Sequence, residues 1–387
     1  MNNSSEKISI FEFMLLIVLF EIGTAIVVIR GADAKQNAWL AVIIATMFGI
    51  MLFSMYFKSF LWKEGSLYEI LIACFGKKIG KVFSSVYTVY FIYLASRGLR
   101  DFTELLVSVV LPQTPIEFSS ILFMTVSAYT LYLGFEVFSR TTVIFAPYIF
   151  VLLGAVTLFL WVNKSIDLTN LQPILGDGIT PVFKAIFPDL LTFPFGELIV
   201  FTIILPQVVN VKKKFRHILL AIYTSGLIIT VTIILNVSVL SESGYLRANF
   251  PLLSSAREIS IANFLERIDA FVVFIVMLGV FTKVSIFLYC ALKGLEAIYQ
   301  QPYRYFAFPI SMLSATFSVL IAFSLNEHLR EGLDIIPYYL NIPLQIGLPL
   351  LMFAILLYKS KRGEGAKSEK NSKNVQKNRS KENEASS

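Results

Sequence analysis

An all-α membrane protein is the fold class this chain predicts, and three observations carry the prediction. The 387 residues are 56% hydrophobic and only 15% charged, with mean hydropathy +0.72. Their apolar runs are far longer than the helices or strands of a water-soluble core. Two of those runs, five spans apart, are interrupted, the first by a carboxylate and a glycine and the sixth by proline, glycine and a carboxylate. Spanning hydrocarbon takes roughly 20 apolar residues, which parses the chain into about ten spans: 9–29, 37–58, 83–110, 118–134, 142–162, 185–207, 216–241, 264–290, 305–325 and 336–358.

The first span follows Glu6 and Lys7 with no small-residue cleavage site, so it reads as a retained helix and not a signal peptide. Lys and Arg in the short connections fall sixteen on one side and eight on the other, which puts both termini in the cytoplasm, as an even count of spans requires. This divides the chain into a cytoplasmic N-terminus (1–8), a ten-helix transmembrane body (9–358) and a tail (359–387). The tail holds nine Lys/Arg and four Glu among Asn and Ser, and reads as a disordered basic extension that can touch anionic lipid. Most of the formal charge of +7 sits there, so a nucleic-acid partner is not implied. The longer connections, 163–184 and 241–263, fall outside, and 254–258 reads as the start of a short interfacial helix or as plain loop.

In the first span, Gly23-Thr24-Ala25 lets the backbone unwind and offer N–H groups to a ligand carboxylate, or serves as a small-residue packing face. Glu21 beside it must face protein or a cavity, where it can pair with a ligand ammonium or with a neighbouring helix. The sixth span carries Phe193-Pro194-Phe195-Gly196-Glu197, with Asp189 toward its outer end. Pro194 has no N–H to give a helix and a carboxylate in hydrocarbon costs at least a few kcal/mol. The segment is therefore expected to break, with Glu197 free to meet a ligand amine, carry a proton, or tie the broken helix to its neighbours. Gly196 follows Gly23 by 173 residues, and interruptions at matching places in two five-span halves point to an inverted-repeat transporter fold with its site at the breaks.

The third span holds Arg97, Arg100, Asp101 and Glu104, whose i,i+4 spacing predicts the pairs Arg97–Asp101 and Arg100–Glu104. An ion network with a structural or gating role is the favoured reading. The eighth span places Glu266, Arg267 and Asp269 at its outer entrance and Lys283 deeper. Lys283 is positioned to stand in for a coupling cation with Glu21 as partner, or to snorkel to the surface. Cys74 and Cys290 read as free thiols. The two histidines, His217 and His328, fall in connections on opposite sides and cannot share a zinc. With no phosphate-cradling loop and no serine–histidine elbow, an enzyme, a catalytic set, a metal site and a cofactor are not expected.

Taken together, Lys7-Ile8-Ser9-Ile10-Phe11, Ile22-Gly23-Thr24-Ala25, Phe193-Pro194-Phe195-Gly196-Glu197 with Leu205-Pro206, and Glu266-Arg267-Ile268-Asp269 resemble the spore germination permease family. These are the B subunits of nutrient germinant receptors, within the amino acid–polyamine–organocation superfamily, and the resemblance spans about residues 6–360. It implies a sensor in the dormant spore's inner membrane that binds a small nutrient, commonly an amino acid. It also implies a membrane-embedded A subunit and a C-subunit lipoprotein as partners. Carried over by position, the ligand lies between Gly23-Thr24-Ala25 and Phe195-Gly196-Glu197. The chain departs from many superfamily members at Val28-Ile29-Arg30, where a proline often closes the first span. A proton-coupled amino acid permease and a purely structural subunit are the competing expectations.

Overall fold

The computed structural model describes residues 6–28, 31–259, 268–322 and 324–361. Arg30, Glu266, Arg267 and the tail beyond Lys361 lie outside them, and with them the expectations placed there. The described chain is helical, its one β-bridge joining Ile8 to Val208 in parallel. We number the long helical segments α1 (Ile10–Ala25), α2 (Ala38–Trp62), α3 (Leu67–Val109), α4 (Ile116–Leu133), α5 (Phe135–Val162), α6 (Thr180–Gln207), α7 (Phe215–Arg247), α8 (Asp269–Tyr299), α9 (Tyr303–Leu320) and α10 (Pro337–Lys361).

Seven of these, α2, α4–α8 and α10, are long and apolar enough to cross a membrane, and α9 makes eight if joined to Leu325–Ile335 across a 104° bend. The expected ten is not reached by that measure among the described residues. The two that fall short are instructive: α1 has only 16 residues, and α3 carries four charges between Arg97 and Glu104.

Local chemistry explains the boundaries. Ser9 caps α1 in a box with Glu12, whose Oε2 accepts the Ser9 N–H at 2.6 Å. Ser66 and Glu69 do the same for α3. Because of that cap, helix begins inside what reads as the 58–81 connection, and Gly76 at φ 81° turns the chain before the span proper. Beyond Ser241 at φ 62°, α7 continues to Arg247, and the short helix after it runs Pro251–Arg257, starting earlier than expected because Pro251 suits a first helical turn. His328, expected in a connection, sits buried in the helix Leu325–Arg330.

Burial sorts the segments into centre and shell. The apolar window of α6 is 83% buried and that of α8 is 78%, against 22% for α5. At the centre, α8 packs on α3, α1 and α5, and α1 packs on α7, which in turn holds α2. Outward faces such as Val151, Met51 and Val89 are exposed apolar surface, as a lipid-facing shell requires.

Candidate functional site

The site begins where α1 crosses α8. A methyl placed on Gly23 would lie 2.8 Å from the Gly279 carbonyl oxygen, and one on Gly279 would lie 2.9 Å from Gly23 Cα. Only glycine at both positions lets the backbones meet this closely. Gly23 is therefore a packing residue, and α1 stays helical through Ala25. The interruption follows it: Ile26 donates to Ile22 O, and Val27 and Val28 both donate to Thr24 O. The N–H groups expected to open toward a ligand at Gly23-Thr24 are thus engaged, and the end of α1 presents carbonyls instead.

One turn beyond Gly279 stands Lys283, its stem against Gly23. It does not snorkel. Its Nζ lies 2.5 Å from Glu197 Oε2, with the two side chains 2% and 4% exposed, and over the rings of Phe193 at 4.0 Å and Phe20 at 5.0 Å. The partner is thus Glu197 more directly than Glu21. Glu21 is fully buried within electrostatic range of both, and neither of its carboxylate oxygens has a hydrogen-bond partner among the described residues. Lys283 thus pairs with Glu197, and Glu21 is a second buried carboxylate near that pair.

The sixth segment breaks where the sequence predicts. After the π-helical Ile186–Leu190 the chain turns at Phe193-Pro194, runs as a 3₁₀-helix over Phe195–Val200, and regains α-helix for only Phe201–Ile204. Glu197 N–H donates to Pro194 O at 3.1 Å, closing the turn that aims its side chain at Lys283. Gly196 has no room for a side chain, because a methyl there would overlap the Gln345 carboxamide.

Gln345 belongs to a polar cluster that sequence reasoning missed. The first eleven residues of α10 are π-helical, with Pro343 among them; the altered ladder leaves carbonyls for other donors. Tyr87 OH donates to Leu344 O at 2.6 Å and Tyr56 OH to Gln345 O. Gln345 Nε2 donates to Tyr90 OH at 2.8 Å, and Tyr90 donates to Asn341 Oδ1 at 2.7 Å. The available signal was Asn341 and Gln345 at i,i+4 in an otherwise apolar span, facing tyrosines three apart in α3.

Between the breaks lies a cavity of about 40 Å³. Thr24, Phe193, Glu197 and Lys283 form one wall. Thr24 Oγ1 is buried there with no hydrogen-bond partner among the described residues. Arg97 and Asp101 also line the cavity, together with Gly332 of the bent segment. Arg97 donates to Glu331 Oε2 at 3.2 Å and to His328 O at 2.9 Å, while His328 Nε2 lies 2.8 Å from Asp101 Oδ1. Of the two expected intrahelical pairs, Arg100–Glu104 is present at 2.5 Å, whereas the contacts of Arg97 reach across to the bent segment. Gly23, Ala25, Phe195, Gly196, Arg100 and Glu104 do not line the cavity; Phe195 fills the space left by Gly49 of α2.

A helical membrane protein with a buried, charged cavity at a broken span is the class this geometry defines. A profile of the family described as Spore germination protein matches residues 7–329. The chain is 35% identical to Spore germination protein KB of Bacillus subtilis (strain 168), over 94% of this chain and 98% of that protein. It is 25% identical to Spore germination protein A2 of the same organism, over 75% of this chain and 80% of that protein. With Spore germination protein XB of Bacillus anthracis it shares 26% identity over 66% of this chain and 70% of that one. The chain belongs to the spore germination protein family.

Proposed function

We propose that this protein is the nutrient-sensing subunit of a germinant receptor and has no enzymatic activity. It binds a small molecule, most simply an amino acid, at the broken sixth segment and passes the resulting motion to partner subunits. The observation that carries this reading is the cavity itself: a Thr24 hydroxyl with no hydrogen-bond partner among the described residues and the Lys283–Glu197 pair face the same space at a helix break. Buried ionisable groups at membrane depth are costly and mark functional sites more often than structural ones. The partners in this reading are an A-type membrane subunit and a C-type lipoprotein, the site is the spore inner membrane, and both termini face the spore core. The ten-helix body (9–358) lies between the N-terminus (1–8) and the basic tail (359–387). For ligand to act as a trigger it must prefer one conformation over another.

The test is a germination dose–response to a panel of amino acids and nucleosides, in spores lacking the chain and in spores carrying Glu197→Gln or Thr24→Val, with subunit levels checked. Loss of response at normal levels is expected; an unchanged response in every strain removes the reading. The second reading, a proton-coupled amino acid permease, draws on Glu21, whose buried carboxylate has no hydrogen-bond partner among the described residues and lies near Lys283. Saturable, proton-dependent uptake into proteoliposomes holding the purified chain would favour it; the sensor reading expects none.

A further inference from the structure

We infer that Arg97 is the subsite for a ligand carboxylate, and that Glu331 occupies it until ligand arrives. The inference rests on the cavity being the nutrient site, and it names the chemistry of what enters: a small molecule with a free carboxylate. The cavity wall holds two cations, Lys283 and Arg97. They differ in how firmly each is held. Lys283 faces Glu197 at 2.5 Å with both side chains almost fully buried, so separating that pair would strand two desolvated charges. Arg97 holds Glu331 at 3.2 Å, and Glu331 is 29% exposed against 12% for Arg97. A partner already near water leaves at lower cost than a buried one.

The guanidinium fork also suits the exchange. It carries five N–H donors in a plane that matches a carboxylate. Nη1 serves Glu331 and, at 3.4 Å, the Tyr93 hydroxyl, while Nη2 serves the His328 carbonyl, so the Nη1 N–H that holds Glu331 is the one a newcomer would take over. The engaged N–H groups at the end of α1 are no rival for that carboxylate.

Exchange at Arg97 has a structural consequence. Glu331, His328 and Gly332 all belong to the segment Leu325–Ile335, and Ile336 beside it lines the cavity. Gly332 sits so close to the Arg97 guanidinium that a methyl on it would overlap. The contacts of Arg97 are therefore the latch of this segment. At about 40 Å³ the cavity has room for only a few water molecules, each needing roughly 10–15 Å³ of it. A ligand headgroup entering it must displace the segment, and losing Glu331 from Arg97 is the step that permits this.

The experiment compares L-amino acids, each beside its α-carboxamide, as triggers of spores that carry this chain with its partners, in the parent and in Arg97→Gln, Arg97→Lys and Glu331→Gln at matched subunit levels. The acids should trigger and the amides should not. Glu331→Gln should lower the half-saturating concentration by about 5-fold or more, the lower range of a coupling between sites. Arg97→Lys should raise it, and Arg97→Gln should abolish the response. In parallel, the alkylation rate of Ile336→Cys in the detergent-solubilised full chain, corrected for Cys74 and Cys290 with the parent, should rise when Glu331→Gln is added. Should Arg97→Gln fail to accumulate, Arg97→Lys and Glu331→Gln still decide the matter. Amides that trigger as well as acids, or a Glu331→Gln change that weakens the response, would overturn the inference. A response kept in Arg97→Gln but lost in Glu197→Gln would sink the carboxylate subsite and leave the cavity reading standing; responses kept in both would sink the two together.

Discussion

Both α1 and α6 carry a glycine beside their interruption, yet the two glycines do different work. Gly23 lies inside regular helix and lets the backbone of α8 approach until its carbonyl touches the ridge of α1. Gly196 lies just after a proline in a 3₁₀ turn, and its missing side chain makes room for the Gln345 carboxamide. A glycine in a span is a gap in the helix surface, and the neighbour that fills the gap decides its role. Backbone in the gap gives a tight crossing; a polar side chain in the gap gives a supported break. Lys283 joins the two regions, with its stem on Gly23 and its ammonium on Glu197.

The largest effect should come from cutting that link. Lys283→Met leaves Glu197 and Glu21 in the core without their cation, and should destabilise the protein by about 3–5 kcal/mol, read as a fall in thermal unfolding temperature in detergent. Adding Glu197→Gln should recover part of the loss; a double variant no better than the single would mean that the pair does not hold the two regions together.

Next comes Gly23→Ala, which sets a methyl against backbone that cannot rotate away. A cost of about 1–3 kcal/mol is expected, with no relief from truncating any nearby side chain. Gly196→Ala should cost less, because its tightest neighbour is the Gln345 side chain, with backbone farther off at Leu191 O, 3.1 Å away, and Gln345→Ala should rescue most of it. Equal rescue of both, or of neither, would erase the distinction between crossing and break. The smallest effect belongs to Tyr90→Phe, which removes the hydroxyl between Asn341 and Gln345. It should cost about 1–2 kcal/mol in the same unfolding measurement, and no change would mean that this cluster does not support the break.

Residue by residue, legibility followed local chemistry. Pro194 beside Glu197 announced the broken segment, since a missing N–H and a buried carboxylate are defects that no tertiary context hides. Lys283 was legible as an unusual charge, but its partner was not, because α6 and α8 are distant in sequence and only packing chose Glu197 over Glu21. Arg97 was expected to pair along its own helix. Its contacts with Glu331 and His328 exist because the chain after α9 bends back by 104°, which no spacing rule encodes.

From its order of residues alone the chain determined that it is a helical membrane protein, roughly where its apolar spans run, and that the sixth of them fails near Pro194. Those properties follow from hydrocarbon thickness and from which residues can donate to a helix, both local in sequence. Tertiary structure alone decided that Gly23 packs and does not unwind, that Lys283 pairs with Glu197, and that a bent segment closes the cavity over Arg97. Each of these is a contact between residues far apart in the chain, settled by the shapes and charges that meet when the bundle closes.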